Sequence, residues 1–213
     1  MVLNLEEQAQ LDVLKTFWSR WGKWLAALLG ALILIYAGYQ GYSAYHTAQT
    51  RKASLVYSAL DKVAQLSDFT KTKALASEIE SDYAATPYAG FAALIAAKVA
   101  FDNKQNDYAV TQLNGVIKHA KAPALLALAH VRLASVLLDR KQYAAALATL
   151  DTKHDPAFDV LFYDARGDVL SMKGDKAAAS DAYRAALAKL AEDAPNRPYI
   201  QTKLDALGYF KNQ

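Results

Sequence analysis

Between Lys23 and Arg51 the chain carries no formally charged residue. The centre of this gap, Trp24 to Tyr42, reads WLAALLGALILIYAGYQGY. At 1.5 Å rise per residue it reaches about 28 Å as a helix, close to the hydrocarbon thickness of a bilayer. Trp18, Trp21 and Trp24 gather at its N-terminal end, and Tyr36, Tyr39, Tyr42 and Tyr45 at the other. Aromatic residues collect at both membrane interfaces because an apolar ring carries a polar tip. Two alternatives compete. A buried globular helix seldom stays uncharged for so long. A cleaved signal peptide has an apolar core of about 7–15 residues and an A-x-A-like site. Here the run is longer and YSAYHTAQT lacks that site. The sequence therefore predicts one uncleaved span at 24–45, preceded by a short segment, 1–23, and followed by a domain, 46–213.

Orientation follows poorly from charge. Lys15, Arg20 and Lys23 precede the span, and Arg51, Lys52 and Lys62 follow it. The count is nearly tied, with the N-terminal charges closer to the span. Ala26, Gly30, Ala37 and Gly41 fall within about 60° on one side of the helix. Such small residues let a second helix approach closely, although Gly and Ala are also common in membrane helices. Ahead of the span, Asn4 and Glu7 have capping-box spacing. Leu11, Leu14, Trp18, Trp21 and Leu25 make a helical apolar stripe, flanked by Lys15, Arg20 and Lys23. This segment reads either as an amphipathic helix on the membrane surface or as a continuation of the span.

Beyond Arg51 the chain is rich in Ala, and Pro87, Pro123, Pro156, Pro195 and Pro198 cut it into blocks of about 33–39 residues. Within the blocks a small residue recurs after twelve positions. The pairs are Ala97 with Ala109, Ala134 with Ala146, and Gly167 with Ala179. Four residues later stand Leu113, Leu150 and Tyr183. A small residue on each of two antiparallel helices allows a close crossing, and a bulky one a turn later fills the space beside it. Pro123, Pro156 and Pro195 are expected to terminate the second helix of each pair. This arrangement resembles the tetratricopeptide repeat. The predicted architecture is all-α: an N-terminal transmembrane helix, then a right-handed solenoid of helical hairpins at about 51–86, 88–121, 124–154 and 158–191. A C-terminal cap helix is expected at 198–210, because the last repeat would otherwise expose an apolar face.

Chemistry is hard to find. His46, His119, His130 and His154 show no ligand spacing, and solvent-facing or capping roles are expected for them. No phosphate-binding glycine loop or nucleophile elbow occurs. With no Cys, thiolate sites and a lipidated N-terminal Cys are excluded. Asp164 and Asp168 lie one turn apart and read as a polar face rather than a catalytic pair. Lys plus Arg is 24 against 21 for Asp plus Glu, too balanced for a nucleic-acid surface. No enzyme activity, cofactor, metal, nucleic acid or small-molecule substrate is expected. In tetratricopeptide repeats the first helix of each pair lines a concave surface. The resemblance points to Leu94, Lys98 and Phe101, then Val131, Ser135 and Leu138, then Asp164, Asp168 and Ser171 as a candidate groove. Leu94, Val131 and Asp164 occupy a row where carboxylate-clamp repeats need Lys, Arg or Asn, so a C-terminal carboxylate is a poor ligand. The apolar members have a second reading, as packing between repeats.

The order LKTFWSRWGK, one span, SDYAATPYAGFAALIAAKVA, HVRLASVLLDRKQYAAALATLD and RGDVLSMKGDKAAASDAYRAAL is similar to the YfgM family, ancillary subunits of the bacterial SecYEG translocon. The resemblance covers nearly the whole chain. It implies an inner-membrane protein with a cytoplasmic N-terminus and a periplasmic repeat domain. It also implies partners: the translocon, a periplasmic chaperone and newly translocated or unfolded proteins. The alternative is a membrane-tethered interaction module of another envelope-biogenesis or division complex.

Overall fold

The computed structural model describes residues 5–208. Asn4 of the expected capping box, the side chains of Glu7, Leu11 and Leu14, and Tyr209 and Phe210 of the expected cap helix lie outside the described residues. Among those residues every regular element is helical: α1 Leu5–Gln65, α2 Phe69–Asp82, α3 Tyr88–Asp102, α4 Asn106–His119, α5 Pro123–Asp139, α6 Tyr143–Leu150, α7 Asp159–Lys173, α8 Lys176–Ala188 and α9 Arg197–Ala206. The chain divides into two units, one up to Arg51 and one from Lys52.

In the first unit α1 passes Lys23 without a break, so the segment before the span continues the same helix. α1 is long and apolar enough to cross a membrane, and none of its most apolar window is buried within the protein. That removes the buried-globular-helix alternative. Leu28, Leu29, Leu32, Ile33, Leu34 and Ile35 all stand exposed, as the side chains of a membrane-spanning helix do. At the C-terminal end two of the four tyrosine hydroxyls accept bonds from the same helix. Gln40 Nε2 donates to Tyr36 Oη and Gln49 Nε2 to Tyr45 Oη, each at 2.9 Å.

The second unit is a row of antiparallel helix pairs, and the turns within the pairs set its register. Ser67, Lys104, Lys141 and Gly174 adopt left-handed backbone with φ of 55°, 60°, 58° and 91°. The amide after each bonds to a carbonyl five residues back: Asp68 to Val63 (3.3 Å), Gln105 to Ala100 (2.8 Å), Gln142 to Leu137 (2.8 Å) and Asp175 to Leu170 (2.9 Å). This is one helix-ending motif used four times. The second helix then starts at once; Asp68 and Asp175 cap α2 and α8 through the amides of Lys71 and Ala178.

Seven residues before the left-handed position lie Leu60, Ala97, Ala134 and Gly167, and five after it Thr72, Ala109, Ala146 and Ala179, all buried. The Lys52–Asp82 pair therefore shares the register of the other three, with Leu60 and Thr72 in place of two small residues. The crossing is tightest in the fourth pair. A Cβ on Gly167 would meet the Tyr183 ring, with Cδ1 only 2.5 Å away.

The core is a chain of overlapping clusters rather than one centre. Leu60, Ile79 and Ala92 join α1, α2 and α3. Leu94, Leu113 and Leu133 join α3, α4 and α5. Leu150, Phe162 and Val169 join α6 and α7 to α5. Tyr183, Ile200 and Leu204 join α8 to α9, which covers the last pair.

The prolines act differently from expectation. Pro123 is at the start of α5, Pro156 opens a 3-10 turn before α7, and Pro198 lies in the first turn of α9. The preceding helices have already ended at His119, Leu150 and Ala188, with Pro195 in the loop before α9. Proline fits a first helical turn because its missing amide would be unbonded there anyway. These residues start helices instead of stopping them.

Four substitutions test this packing, each read by urea unfolding of the fragment 52–213, which is expected to fold alone as an all-α unit. Gly167→Ala, Ala146→Leu and Ala179→Leu overpack close crossings and lower stability by about 1–3 kcal/mol each. Wild-type midpoints for all three would contradict the register. Lys141→Gly relieves a side chain held at positive φ and raises stability by up to about 1 kcal/mol, and a lower midpoint contradicts the turn assignment.

Candidate functional site: the first-helix face of the hairpins

The nine groove candidates do not form one open surface. Leu94 is only 3% exposed and belongs to the α3–α4–α5 core, so it is corrected from groove to packing residue. Arg132 Nη1 donates to its carbonyl at 2.9 Å, tying α5 to α3. Lys98 is exposed and pairs with Asp102 at 2.7 Å. Phe101 is half-buried, with Lys104 Nζ 5.8 Å from its ring centre. Val131 and Leu138 are half-buried against the cluster around Phe162. Ser135 is exposed, and its hydroxyl donates to the Val131 carbonyl at 3.1 Å. Ser171 is half-buried.

Asp164 and Asp168 are brought together, but with a partner no local pattern foresees. Lys203 of α9 donates to Asp164 Oδ1 at 2.9 Å and to Asp168 Oδ2 at 2.8 Å. Tyr183 Oη donates to Asp168 Oδ1 at 2.7 Å, and the Lys203 ammonium lies 4.6 Å from the Tyr199 ring centre. Burial opposes the Lys203 charge, yet the hydrogen bonds and charges of the two carboxylates outweigh it and hold its pKa above the ordinary lysine value. Burial, reinforced by the Asp168 charge, pushes the Asp164 carboxyl up despite the Lys203 hydrogen bond. Burial first, then the bond to Asp168, pushes the Tyr183 phenol up. The acidic end of the expected groove is thus already filled by the chain's own lysine. It joins the first and second helices of the last pair to the covering helix.

The register of the turns exposes a row that local spacing missed. Thirteen residues before the left-handed positions of the second, third and fourth pairs lie Phe91, Leu128 and Leu161. Phe91 and Leu161 are 46% and 42% exposed, and Leu128 is half-buried. Phe91 and Leu161 leave part of an apolar side chain in solvent, whereas Leu128 packs against the α3–α4–α5 cluster. The signal was present in the sequence, but only the backbone turns align it.

His154 departs from the solvent-facing or capping role. Its ring stacks on Phe162 at 3.7 Å between centroids, with Nδ1 2.9 Å from the Thr152 carbonyl and Nε2 3.2 Å from Asp159 Oδ1. The hydrogen bond from Lys189, more than His154, holds the Asp159 carboxyl below its ordinary range. This cluster seals the long connection between α6 and α7. Burial, then the nearby His154, pushes the His130 imidazole down. Among the described residues no three such side chains converge as a metal site. On the membrane helix, Ala26, Ala37 and Gly41 are exposed and Gly30 is partly so. A Cβ on Gly30 or Gly41 would meet nothing within 4 Å.

Lys203→Met strands two carboxylates and lowers stability by about 1–3 kcal/mol, less than a fully buried pair because Asp168 is partly solvated. A lysine whose pKa is raised on folding contributes in full below its unfolded value of about 10.4 and loses that contribution as pH rises through the folded value. The stability gap between wild type and Lys203→Met therefore stays level from pH 7 to about 9 and narrows above about 10.5. Urea midpoints across that range check it; a gap that widens with alkali contradicts the pairing.

The tetratricopeptide repeat-like domain model matches residues 15–209. A protein of Neisseria gonorrhoeae called "Ancillary SecYEG translocon subunit" is 38% identical over 208 residues, 97% of this chain and 100% of its own length. Proteins of the same name from Haemophilus influenzae and Escherichia coli are 28% identical over 87% of this chain and 91% of their own, and 32% identical over 63% and 65%, respectively. A long exposed apolar helix, repeated hairpins in one turn register and end-to-end similarity agree, and the chain belongs to the YfgM family of tetratricopeptide repeat-like ancillary SecYEG translocon subunits.

Proposed function

We propose that the protein is a single-pass inner-membrane scaffold of the SecYEG translocon. Its N-terminus lies in the cytoplasm and its hairpin domain in the periplasm, where it binds a chaperone or newly translocated chains. The observation that carries this reading is the similarity to the Neisseria protein over that protein's full length, which includes the span as well as the hairpins. The physical chemistry supports it. Lys23 and Arg51 flank the uncharged stretch and belong on opposite membrane faces, because neither ammonium nor guanidinium rests cheaply in hydrocarbon. In that row Phe91 and Leu161 offer apolar contact without a charge clamp, which suits chains of varied sequence. Tethering raises the local concentration of such a surface, so weak contacts suffice. The protein acts by positioning its partners, without turnover. The Ala26, Gly30, Ala37 and Gly41 stripe is the face on which a translocon helix packs.

Protease added to intact spheroplasts is expected to digest the hairpin domain. Protection until the inner membrane is lysed refutes the orientation and the exit-side role. A photo-crosslinker at Phe91 is expected to capture secreted chains during export and SecYEG subunits to crosslink at Gly30. Replacing Phe91 and Leu161 by Ser lowers the yield of captured secreted chains several-fold with an unchanged melting midpoint; an unchanged yield removes the row from the site.

A further inference from the structure

Ahead of the span, α1 is divided lengthwise. At about 100° per residue, Val13, Phe17, Trp18, Trp21, Trp24 and Leu25 fall within about 140° of one another. All six are exposed, and no polar residue shares their arc. Leu28, Leu32 and Ile35 carry the same arc into the span, and they too are exposed. The opposite side holds Asp12, Lys15, Thr16, Ser19, Arg20 and Lys23. Its two hydroxyls turn back on the helix: Thr16 donates to the Asp12 carbonyl at 2.7 Å and Ser19 to the Thr16 carbonyl at 3.0 Å. The cations are less well served. Lys15 Nζ is 3.9 Å from Asp12 Oδ1 with both side chains more than three-quarters exposed, a pair that water screens. Between Asp12 and Asp61 the sequence has no carboxylate. Arg20 and Lys23 therefore stand about 12 and 17 Å along the helix from Asp12, and Glu6 and Glu7 are farther still.

We infer that residues 12–24 form a binding surface for anionic phospholipid, with the aromatic arc in the acyl boundary and Lys15, Arg20 and Lys23 on the headgroup phosphates. This rests on reading α1 as the membrane span. Continuity says what covers the arc: it is the exposed side of the span, carried past Lys23 without a break in the helix. Trp suits that level, because its ring is apolar and its N–H seeks a polar partner. Charge selects the lipid. Lys23 and Arg20 lie about 2 and 6 Å along the helix from Trp24, within a headgroup layer about 5–8 Å deep. Their long stems let the charges reach phosphate while the arc stays in apolar surroundings. A zwitterionic headgroup carries its own cation beside each phosphate, whereas an anionic one supplies the counter-charge that the chain lacks here. The other end of the span differs, with four tyrosines and no cation before Arg51. A second copy is a poor occupant, because it brings six cations together with only two carboxylates from these segments.

All three tryptophans of the chain lie in this segment, so tryptophan fluorescence reports it alone. The full chain is reconstituted in phosphatidylcholine vesicles containing about one-fifth phosphatidylglycerol. Bromine is placed on the acyl chains of the phosphatidylglycerol or of an equal amount of the phosphatidylcholine, and it quenches tryptophans that it touches. Brominated phosphatidylglycerol is expected to quench at least twofold more than brominated phosphatidylcholine. For the unaltered chain that excess shrinks as salt is raised from about 0.05 to 0.5 M, because screening weakens attraction to the headgroups. Lys15→Gln with Arg20→Gln and Lys23→Gln abolishes it, while quenching by phosphatidylcholine remains and shows that the variant is still inserted. Equal quenching by the two lipids, an excess indifferent to salt, or an excess that survives the triple substitution overturns the proposal and leaves the span reading standing. No quenching by either lipid overturns both. Quenching that falls as the protein is concentrated in the membrane assigns the arc to a second copy and also overturns the proposal.

Discussion

Everything in the hairpin unit depends on how closely two antiparallel helices approach at one point. The limit is set by Cβ atoms. Where Ala97 faces the level of Ala109, or Ala134 that of Ala146, the backbones come near enough for larger side chains on either side to interlock. At Gly167 even one carbon is too many, because the Tyr183 ring occupies its space. That ring places its hydroxyl on Asp168, so the tightest crossing also orients one arm of the polar cluster. Each crossing is held in register by a short left-handed turn. Three of the four turn residues are not glycine, so local strain is offset by the burial it permits.

The cluster of Asp164, Asp168, Tyr183 and Lys203 shows how a terminal helix is joined to a repeat stack by more than apolar contact. Two carboxylates one turn apart repel, and a single ammonium between them removes most of that cost. Burial raises the Asp164 carboxyl, while the hydrogen bonds and charges of the two aspartates hold the Lys203 ammonium charged. An apolar cap held α9 against α8; the ion pairs add its alignment to α7. The two acidic residues of the expected groove are therefore occupied within the chain, while Phe91 and Leu161 remain partly exposed.

The contrast between the two units is one of solvent. Up to Arg51 the apolar side chains face outward, and from Lys52 they face each other. The change occurs within one helix, without a break in its backbone hydrogen bonding. A helix satisfies its own peptide groups in either environment, so only the side chains need to change.

The membrane helix was legible from the residues alone because its evidence is local: charge is absent for a continuous stretch, and aromatic residues stand at its ends. The small-residue pairs were legible for a related reason. Their spacing of twelve reflects a fixed length of helix, turn and helix. The helix pair from Lys52 to Asp82 was harder to see, since Leu60 and Thr72 replace the small residues and only the shared turn geometry reveals the equivalence. The prolines were misassigned because a proline marks a helix boundary without saying which side the helix lies on. Leu94 and the two aspartates depended wholly on tertiary structure. Whether a residue on a first helix meets solvent, the next repeat or a lysine 35–39 residues away is decided by packing between elements, and no local pattern carries that information.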